Sequence, residues 1–146
     1  MINGYLVGPS ANLANANLAN MNLVGINISG ANLSGANLSG ANLSGASLMQ
    51  TNLNDANLSD ANLSGAIVTY TGLQGANLTG ANFTSANMYA AHFDNADLSN
   101  ANLTGVFLLS TNLTGANLSG VVSGGIIGTP SALPAGWALV NGYLVP

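Results

Sequence analysis

The sequence predicts an all-β solenoid in which each coil takes about 20 residues. A five-residue unit, Ala-Asn-Leu-Ser/Thr-Gly, repeats from residue 11 to residue 120 without a shift of register. The chain of 146 residues has no Lys and no Arg, so ion pairs cannot specify its fold. Every proline lies outside the array, at Pro9, Pro130, Pro134 and Pro146. A fold built from short strands and tight corners accounts for all three observations.

Each repeat combines a strand with a turn, because a period of five fits neither a helical turn nor the two-residue alternation of a long strand. The Ala and the Leu, two positions apart, project to one side of a short extended segment, and the Asn between them projects to the other. The Ser-Gly or Thr-Gly pair supplies the turn, since Gly accepts positive φ without a Cβ clash. We therefore expect Ala and Leu inside and Asn outside.

Four corners of roughly a right angle close a square, so each segment would pair with the segment twenty positions later. The recurring Gly and Asn disfavour a helix, a flat meander needs longer strands, and collagen needs Gly at every third residue. The predicted interior is a stack of Leu from Leu13 to Leu118, in which Val68, Phe83, Met88 and Phe93 are conservative variants.

This repeat resembles that of the pentapeptide-repeat proteins, whose motif is a small residue, Asn or Asp, Leu or Phe, Ser or Thr, and a variable corner residue. The resemblance covers residues 11–120. It implies a right-handed quadrilateral β-helix, and the handedness comes from the resemblance alone.

The two flanks are predicted to cap the array. Residues 1–10 would form an N-terminal capping strand, residues 11–120 the solenoid, and residues 121–146 a C-terminal cap. Within that cap, residues 137–140 and 143–145 flank an Asn-Gly pair, which predicts a β-hairpin with a type I′ turn. Trp137 and Tyr143 would anchor this hairpin over the last coil.

The sequence Asn-Gly-Tyr-Leu-Val occurs twice, at residues 3–7 and at residues 141–145. The first copy lacks the Trp-bearing strand that precedes the second. We therefore expect the chain to be one unit of a longer tandem repeat protein, and a copied cap at the end of a gene is the alternative.

One predicted face departs from the polar pattern, because several of its outward positions are apolar while the other faces carry Asn, Ser, Thr or Gly. We call this set the apolar stripe, and it consists of Met49, Ile67, Tyr70, Tyr89, Phe107 and Leu109. The same register is expected to extend to Leu6 and Val7 at one end and to Ile126 and Ile127 at the other. The one comparable outward residue elsewhere in the array is Val24.

An exposed apolar stripe usually marks a contact. The contact could be made by the chain's own C-terminal tail, by a second copy or an adjacent repeat module, or by a foreign partner. The corner after this face often lacks Gly and precedes an inward Thr, at Gln50-Thr51, Tyr70-Thr71 and Ser110-Thr111. This pattern predicts a different turn there, with the Thr hydroxyl bonded to nearby backbone.

Composition excludes several classes of function. Nucleic-acid binding normally relies on Lys and Arg to displace counterions from phosphates, and the chain has neither. No stretch approaches the roughly 18 apolar residues of a membrane span. Cysteine is absent, so thiolate chemistry is excluded. We expect no cofactor, no metal and no small-molecule substrate.

The few ionisable groups are weak candidates for catalysis. His92, Asp94 and Asp97 lie close together and could in principle hold a divalent metal or act as acid and base. However, they lie on a convex surface around an inward Phe93, where no cleft is expected to exclude water. Asp55 and Asp60 occupy corners and have an ordinary role in turns.

These observations favour a non-enzymatic structural or interaction scaffold. A surface-recognition or ice-binding solenoid is the alternative, because outward Asn, Ser and Thr form regular polar ladders. Some pentapeptide-repeat proteins mimic DNA and act on gyrase through an acidic surface, but four acidic residues are few for that role.

Overall fold

The computed structural model describes residues 4–146, and in this part of the chain all regular structure is β-structure. Two strands, β1 (Asn102–Thr104) and β2 (Val122–Gly124), pair in parallel. Two more, β3 (Ala138–Val140) and β4 (Tyr143–Val145), pair antiparallel as a hairpin. No helix among the described residues has the length and apolar character needed to cross a bilayer.

Most of the array is held by single parallel bridges, because each repeat is too short to form a longer strand. Every isolated bridge joins residues that are twenty positions apart, from Asn12 with Asn32 to Asn112 with Ala132. The pairing of β1 with β2 follows the same spacing. The chain therefore forms an all-β helix whose successive turns are stacked by backbone hydrogen bonds.

The interior is a continuous apolar column, because the third residue of each repeat points inward. The side chains from Leu13 to Leu118 in this position are 0–2% exposed. The rings of Phe83 and Phe93 meet edge to face, with centroids 6.0 Å apart. Each buried side chain of this size contributes about 1.5–3 kcal/mol. Apolar burial thus stabilises a chain that has almost no ion pairs.

The fifth residue of each repeat is a corner, and it has positive φ whether or not it is Gly. Corner φ angles lie between 52° and 69° throughout the array. The prediction of a different turn after the apolar face is wrong, since Gln50, Tyr70 and Ser110 have φ of 56°, 56° and 61°. The cause is the hydrogen-bond ladder. The N–H of Tyr70, for example, donates to the carbonyl of Tyr89 at 3.0 Å, which fixes the corner regardless of residue type.

The Asn at the second position serves both the corner and the ladder. The Oδ1 of Asn32 accepts the backbone N–H of Ser34 at 3.1 Å, which supports the turn that follows. The Nδ2 of Asn32 donates to Oδ1 of Asn12 at 3.4 Å, in the preceding turn of the solenoid. A side chain with both a donor and an acceptor is needed for these two bonds, which explains the recurrence of Asn.

The regular array ends near Pro130, which occupies the corner twenty residues after Ser110. A corner requires φ near +60°, whereas Pro is fixed at about −65°. The chain then forms the β3–β4 hairpin, and its turn residues Asn141 and Gly142 have φ of 49° and 81°, as in a type I′ turn. The hairpin is compatible with the predicted C-terminal cap.

The hairpin lies against β2 and the residues that follow it. Leu144 is buried, and its N–H donates to Oγ of Ser123 at 3.1 Å. The N–H of Ile126 donates to the carbonyl of Gly142 at 3.1 Å. Trp137 is partly buried against the core, whereas Tyr143 is more than half exposed.

The N-terminal flank also contacts the core through partly buried Tyr5 and Val7. The Tyr5 hydroxyl accepts the N–H of Asn17 at 3.3 Å. The expectation of a capping strand over residues 1–10 includes residues 1–3, which lie outside the described residues. That boundary and those of the other two predicted segments stay predictions.

Candidate interaction face

The apolar stripe is organised by two parallel ladders on one face of the solenoid. The first ladder joins Ser47, Ile67, Asn87, Phe107 and Ile127 through successive bridges. The second contains the backbone of Met49, Tyr89 and Leu109, each of whose carbonyls accepts an N–H from the corner of the preceding turn. Ile67 and Phe107 are therefore two steps apart in one ladder, with Asn87 between them.

The stripe is open to solvent. Met49, Ile67, Tyr70 and Leu109 are 39–50% exposed, and Tyr89 and Phe107 are half-buried. Exposure of this size is unusual for side chains that lie next to one another, because isolated apolar residues are the norm on protein surfaces.

Three rings form the centre of the stripe. The Tyr70 and Tyr89 centroids are 5.4 Å apart in an edge-to-face contact, and the Tyr89 and Phe107 rings are stacked with centroids 6.3 Å apart. The pKa of Tyr70 is raised above its ordinary value. The main cause is a hydrogen bond with the Tyr89 side chain, and the charge of Tyr89 and the slight desolvation of Tyr70 add to it. Rings held in this way lose little entropy when a partner covers them.

The ends of the stripe differ in part from the sequence prediction. Ile127 continues the ladder beyond Phe107 and is 61% exposed. Ile126 was assigned to the same surface, but this assignment is wrong, because Ile126 is 8% exposed and points inward. Its position is twenty residues after the inward Val106, so it continues the interior column. At the other end, Leu6 is exposed and Val7 is partly buried against the core.

The C-terminal tail leaves the stripe exposed in this structure. Its hydrogen bonds from the hairpin reach Ser123 and Ile126, at the end of the solenoid. The ring of Tyr143 lies so close to Gly124 that a Cβ there would be 2.9 Å from Cε1 of the ring. The tail therefore contacts the last turn, and Met49 and Ile67 remain exposed.

Buried hydroxyls lie directly behind this face. Thr71 is fully buried, and its Oγ1 donates to the carbonyl of Leu48 at 2.6 Å. Thr51 and Thr111 make the same bond to Ile28 and Met88. The sequence predicted a bond to nearby backbone, but each acceptor lies twenty-three residues earlier, in the preceding turn of the solenoid.

The ionisable side chains of His92, Asp94 and Asp97 interact with neighbouring side chains and backbone of the solenoid. Asp97 Oδ1 accepts the N–H of Ser99 at 3.0 Å and Nδ2 of Asn117 at 3.1 Å. Hydrogen bonds from Ser99 are the main cause that lowers the pKa of Asp97. Asp94 accepts Nδ2 of Asn112, and His92 Nδ1 is 3.8 Å from its other oxygen. Residues 4–146 bring no three His or acidic side chains together in metal-binding geometry, and they enclose no pocket.

Solved structures that are similar to this chain include proteins from cyanobacteria and a plant. Rfr23, a pentapeptide repeat protein from the cyanobacterium Cyanothece 51142, is 36% identical over 64% of this chain and 64% of its own, with a TM-score of 0.62. HetL from Nostoc sp. strain PCC 7120, which is involved in heterocyst differentiation regulation, is 34% identical over 81% of this chain and 57% of its own, with a TM-score of 0.54.

A third similar structure is a pentapeptide repeat protein from the Arabidopsis thaliana thylakoid lumen. It is 31% identical over 66% of this chain and 68% of its own, with a TM-score of 0.65. The match covers less than two-thirds of the length of Rfr23 and of HetL. No curated protein sequence matches the chain.

The profile of the family described as pentapeptide repeats matches in eight copies, over residues 11–48, 31–69, 69–99 and 91–121. The solved relatives imply a right-handed β-helix, in agreement with the resemblance in the repeat. Members of this family are generally non-enzymatic scaffolds. The chain belongs to the pentapeptide repeat family.

Proposed function

We propose that the protein is a non-enzymatic scaffold that associates with a second copy of itself through the apolar stripe. The observation that carries this proposal is that six outward apolar side chains share one face of the solenoid, four of them 39–50% exposed, and that ring contacts join Tyr70, Tyr89 and Phe107 within it. Removing such a stripe from water is favourable by about 25 cal/mol for each Å² of apolar area.

The scaffold is a four-sided solenoid with about 20 residues in each coil. Bridges between residues twenty apart and positive φ at every fifth residue support this geometry. Successive coils are about 4.8 Å apart, so the stripe from Met49 to Leu109 extends about 14 Å along the axis. Ile127 adds one further coil to this length.

A second copy suits this stripe better than a charged partner does. The chain carries no Lys and no Arg, so it has no cations with which to pair an acidic partner. A two-fold contact places the same surface on both sides. An apolar surface can pack against a copy of itself, whereas a surface with charges of one sign repels its copy. The rings of Tyr89 and Phe107 provide the rigid aromatic anchors that are typical of interface centres.

The test is the oligomeric state of a doubly substituted protein, Ile67→Asn with Phe107→Asn. Asn87 lies between these positions in the same ladder, so Asn is compatible with the fold there. At low protein concentration, we expect sedimentation velocity to show a dimer for the unmodified protein and a monomer for the variant, with unchanged circular dichroism. Val24→Asn is the matched control, since Val24 is exposed outside the stripe. A monomeric unmodified protein, or a dimer that survives the double substitution at that low concentration, would overturn the proposal.

The other two functions have less support. A surface-recognition function would use the outward polar side chains, but these side chains are hydrogen-bonded to one another. For example, Nδ2 of Asn62 donates to Oδ1 of Asn42 at 3.3 Å. A DNA-like surface requires many acidic groups, and the chain has four. Thermal hysteresis and gyrase supercoiling assays test these functions directly, and activity in either would displace the scaffold proposal.

A further inference from the structure

The repeated segment Tyr-Leu-Val buries opposite faces at residues 5–7 and at residues 143–145. In the C-terminal copy, Leu144 is 6% exposed and Tyr143 is 53% exposed. In the N-terminal copy, Leu6 is 78% exposed, whereas Tyr5 is partly buried against the core. Since successive side chains of an extended segment alternate, the two copies bury complementary faces of the same sequence.

The C-terminal copy shows what this sequence pairs with. Leu144 lies opposite Leu139 in the antiparallel register of β3 and β4. Both leucines belong to the core cluster or pack against it, and the N–H of Leu144 is bonded to Ser123. In this fold, one copy of the Tyr-Leu-Val segment therefore pairs with an antiparallel Ala-Leu-Val strand.

The N-terminal copy has one face covered and the other free. The Tyr5 hydroxyl accepts the N–H of Asn17, which holds residues 5–7 against the first turn of the solenoid. Leu6 projects away from this contact and is the most exposed large apolar side chain among the described residues. A two-stranded sheet such as β3–β4 leaves the outer edge of β3 without a strand. Unpaired edges of this kind readily accept a further strand.

We propose that residues 5–7 of one copy pair with the outer edge of β3 in a second copy, so that solenoids associate head to tail. Tyr5 and Val7 keep their contacts with their own first turn, while Leu6 packs beside Leu139 of the second copy. The segment is then shared between two solenoid ends, and each of its faces serves one of them. This contact uses different surfaces from the apolar stripe and does not depend on it.

The symmetry of the two contacts separates them experimentally. A contact between identical stripes closes at a dimer, whereas a head-to-tail contact leaves free ends and continues to larger species. We therefore expect oligomers larger than the dimer, in proportions that rise with protein concentration. Leu6→Asn should lower the affinity of head-to-tail association by tenfold or more, because the substitution removes a buried Leu from the junction. The double substitution of Ile67 and Phe107 should remove the dimer at low concentration and leave the head-to-tail association at higher concentration intact.

Disulfide trapping gives a direct test, because the chain has no cysteine. Leu6→Cys protein is mixed with Leu139→Cys protein under mild oxidation, and we expect a mixed disulfide between the two chains. Mixing Leu6→Cys with Val24→Cys, which exposes the thiol on another surface, is the control. Equal yields of mixed disulfide in the two mixtures would overturn the proposal. Larger oligomers that form equally well in the Leu6→Asn protein would also overturn it.

Discussion

The hydroxyl of Thr71 donates a hydrogen bond of 2.6 Å to the carbonyl of Leu48, twenty-three residues earlier in the chain. The same carbonyl accepts the N–H of Thr51 at 3.0 Å, across the corner at Gln50. One oxygen thus joins a corner to the next turn of the solenoid. This pairing lies behind the apolar stripe and gives that face a fixed backbone.

Replacing Thr71 with Val should lower the free energy of unfolding by about 1 kcal/mol, because a buried hydrogen bond is lost while the volume is kept. Urea denaturation followed by circular dichroism measures this change. Thr71→Ser retains the hydroxyl and loses only the buried methyl group, so it measures the cost of that methyl group separately. If Thr71→Val were as stable as the unmodified protein, the hydroxyl would not contribute to stability.

Corner glycines should differ in their tolerance of Ala according to what lies beside them. Gly65 and Gly75 have nearly the same φ, 64° and 66°. A Cβ on Gly65 meets nothing within 4 Å, whereas one on Gly75 lies 2.6 Å from Oδ1 of Asp55. Gly65→Ala should therefore cost only the left-handed conformation, about 1–2 kcal/mol.

Gly75→Ala should cost more than Gly65→Ala, because the Asp55 side chain must also move. Urea denaturation of the two variants gives the comparison. In a protein that already carries Asp55→Gly, Gly75→Ala should cost no more stability than Gly65→Ala does. If the two single variants lost equal stability, backbone strain alone would decide tolerance.

The interior was predictable because each repeat places two apolar residues on one side of a short extended segment. Leu38 and Ala41 are buried for that reason alone. The corners were less predictable, because residue preference at Tyr70 is overridden by the hydrogen-bond ladder. Ile126 was misplaced because the consensus stops at Gly120 while the inward register continues.

The different faces of the two Tyr-Leu-Val segments could not be read from sequence. Leu6 and Leu144 have identical immediate neighbours, so only the surface that each segment meets decides which side is buried. The long reach of the Thr71 hydroxyl was hidden for a similar reason, because it depends on how turns stack. The apolar stripe could be proposed from sequence because residues twenty apart share a face.

Removing the Tyr89 hydroxyl should lower the pKa of Tyr70. The hydrogen bond with Tyr89 is the main cause that raises this pKa above 10.0, and charge repulsion between the two groups adds to it. Tyr89→Phe keeps the ring contact and loses both effects. An NMR titration of tyrosine ring carbons follows Tyr70 directly. Tyr143→Phe is the control, and a Tyr70 pKa that Tyr89→Phe left unchanged would contradict this assignment.

Asp97 should make stability depend on acid. Its folded-state pKa is lowered from 3.8 by hydrogen bonds from Ser99, so the unfolded chain binds the proton first as pH falls. This contribution is fully present above about pH 4 and disappears as pH falls through the folded-state pKa. Asp97→Asn removes the titrating group while its Oδ1 can still accept the N–H of Ser99. Thermal melts between about pH 6 and about pH 2 should therefore show a smaller loss of stability for the variant than for the unmodified protein.

Asn57→Asp is the reciprocal change, since Asn57 Oδ1 accepts the N–H of Ser59 at 3.1 Å, and it should introduce the same acid dependence. If Asp97→Asn kept the full pH dependence, the loss of stability in acid would have to arise at another carboxylate.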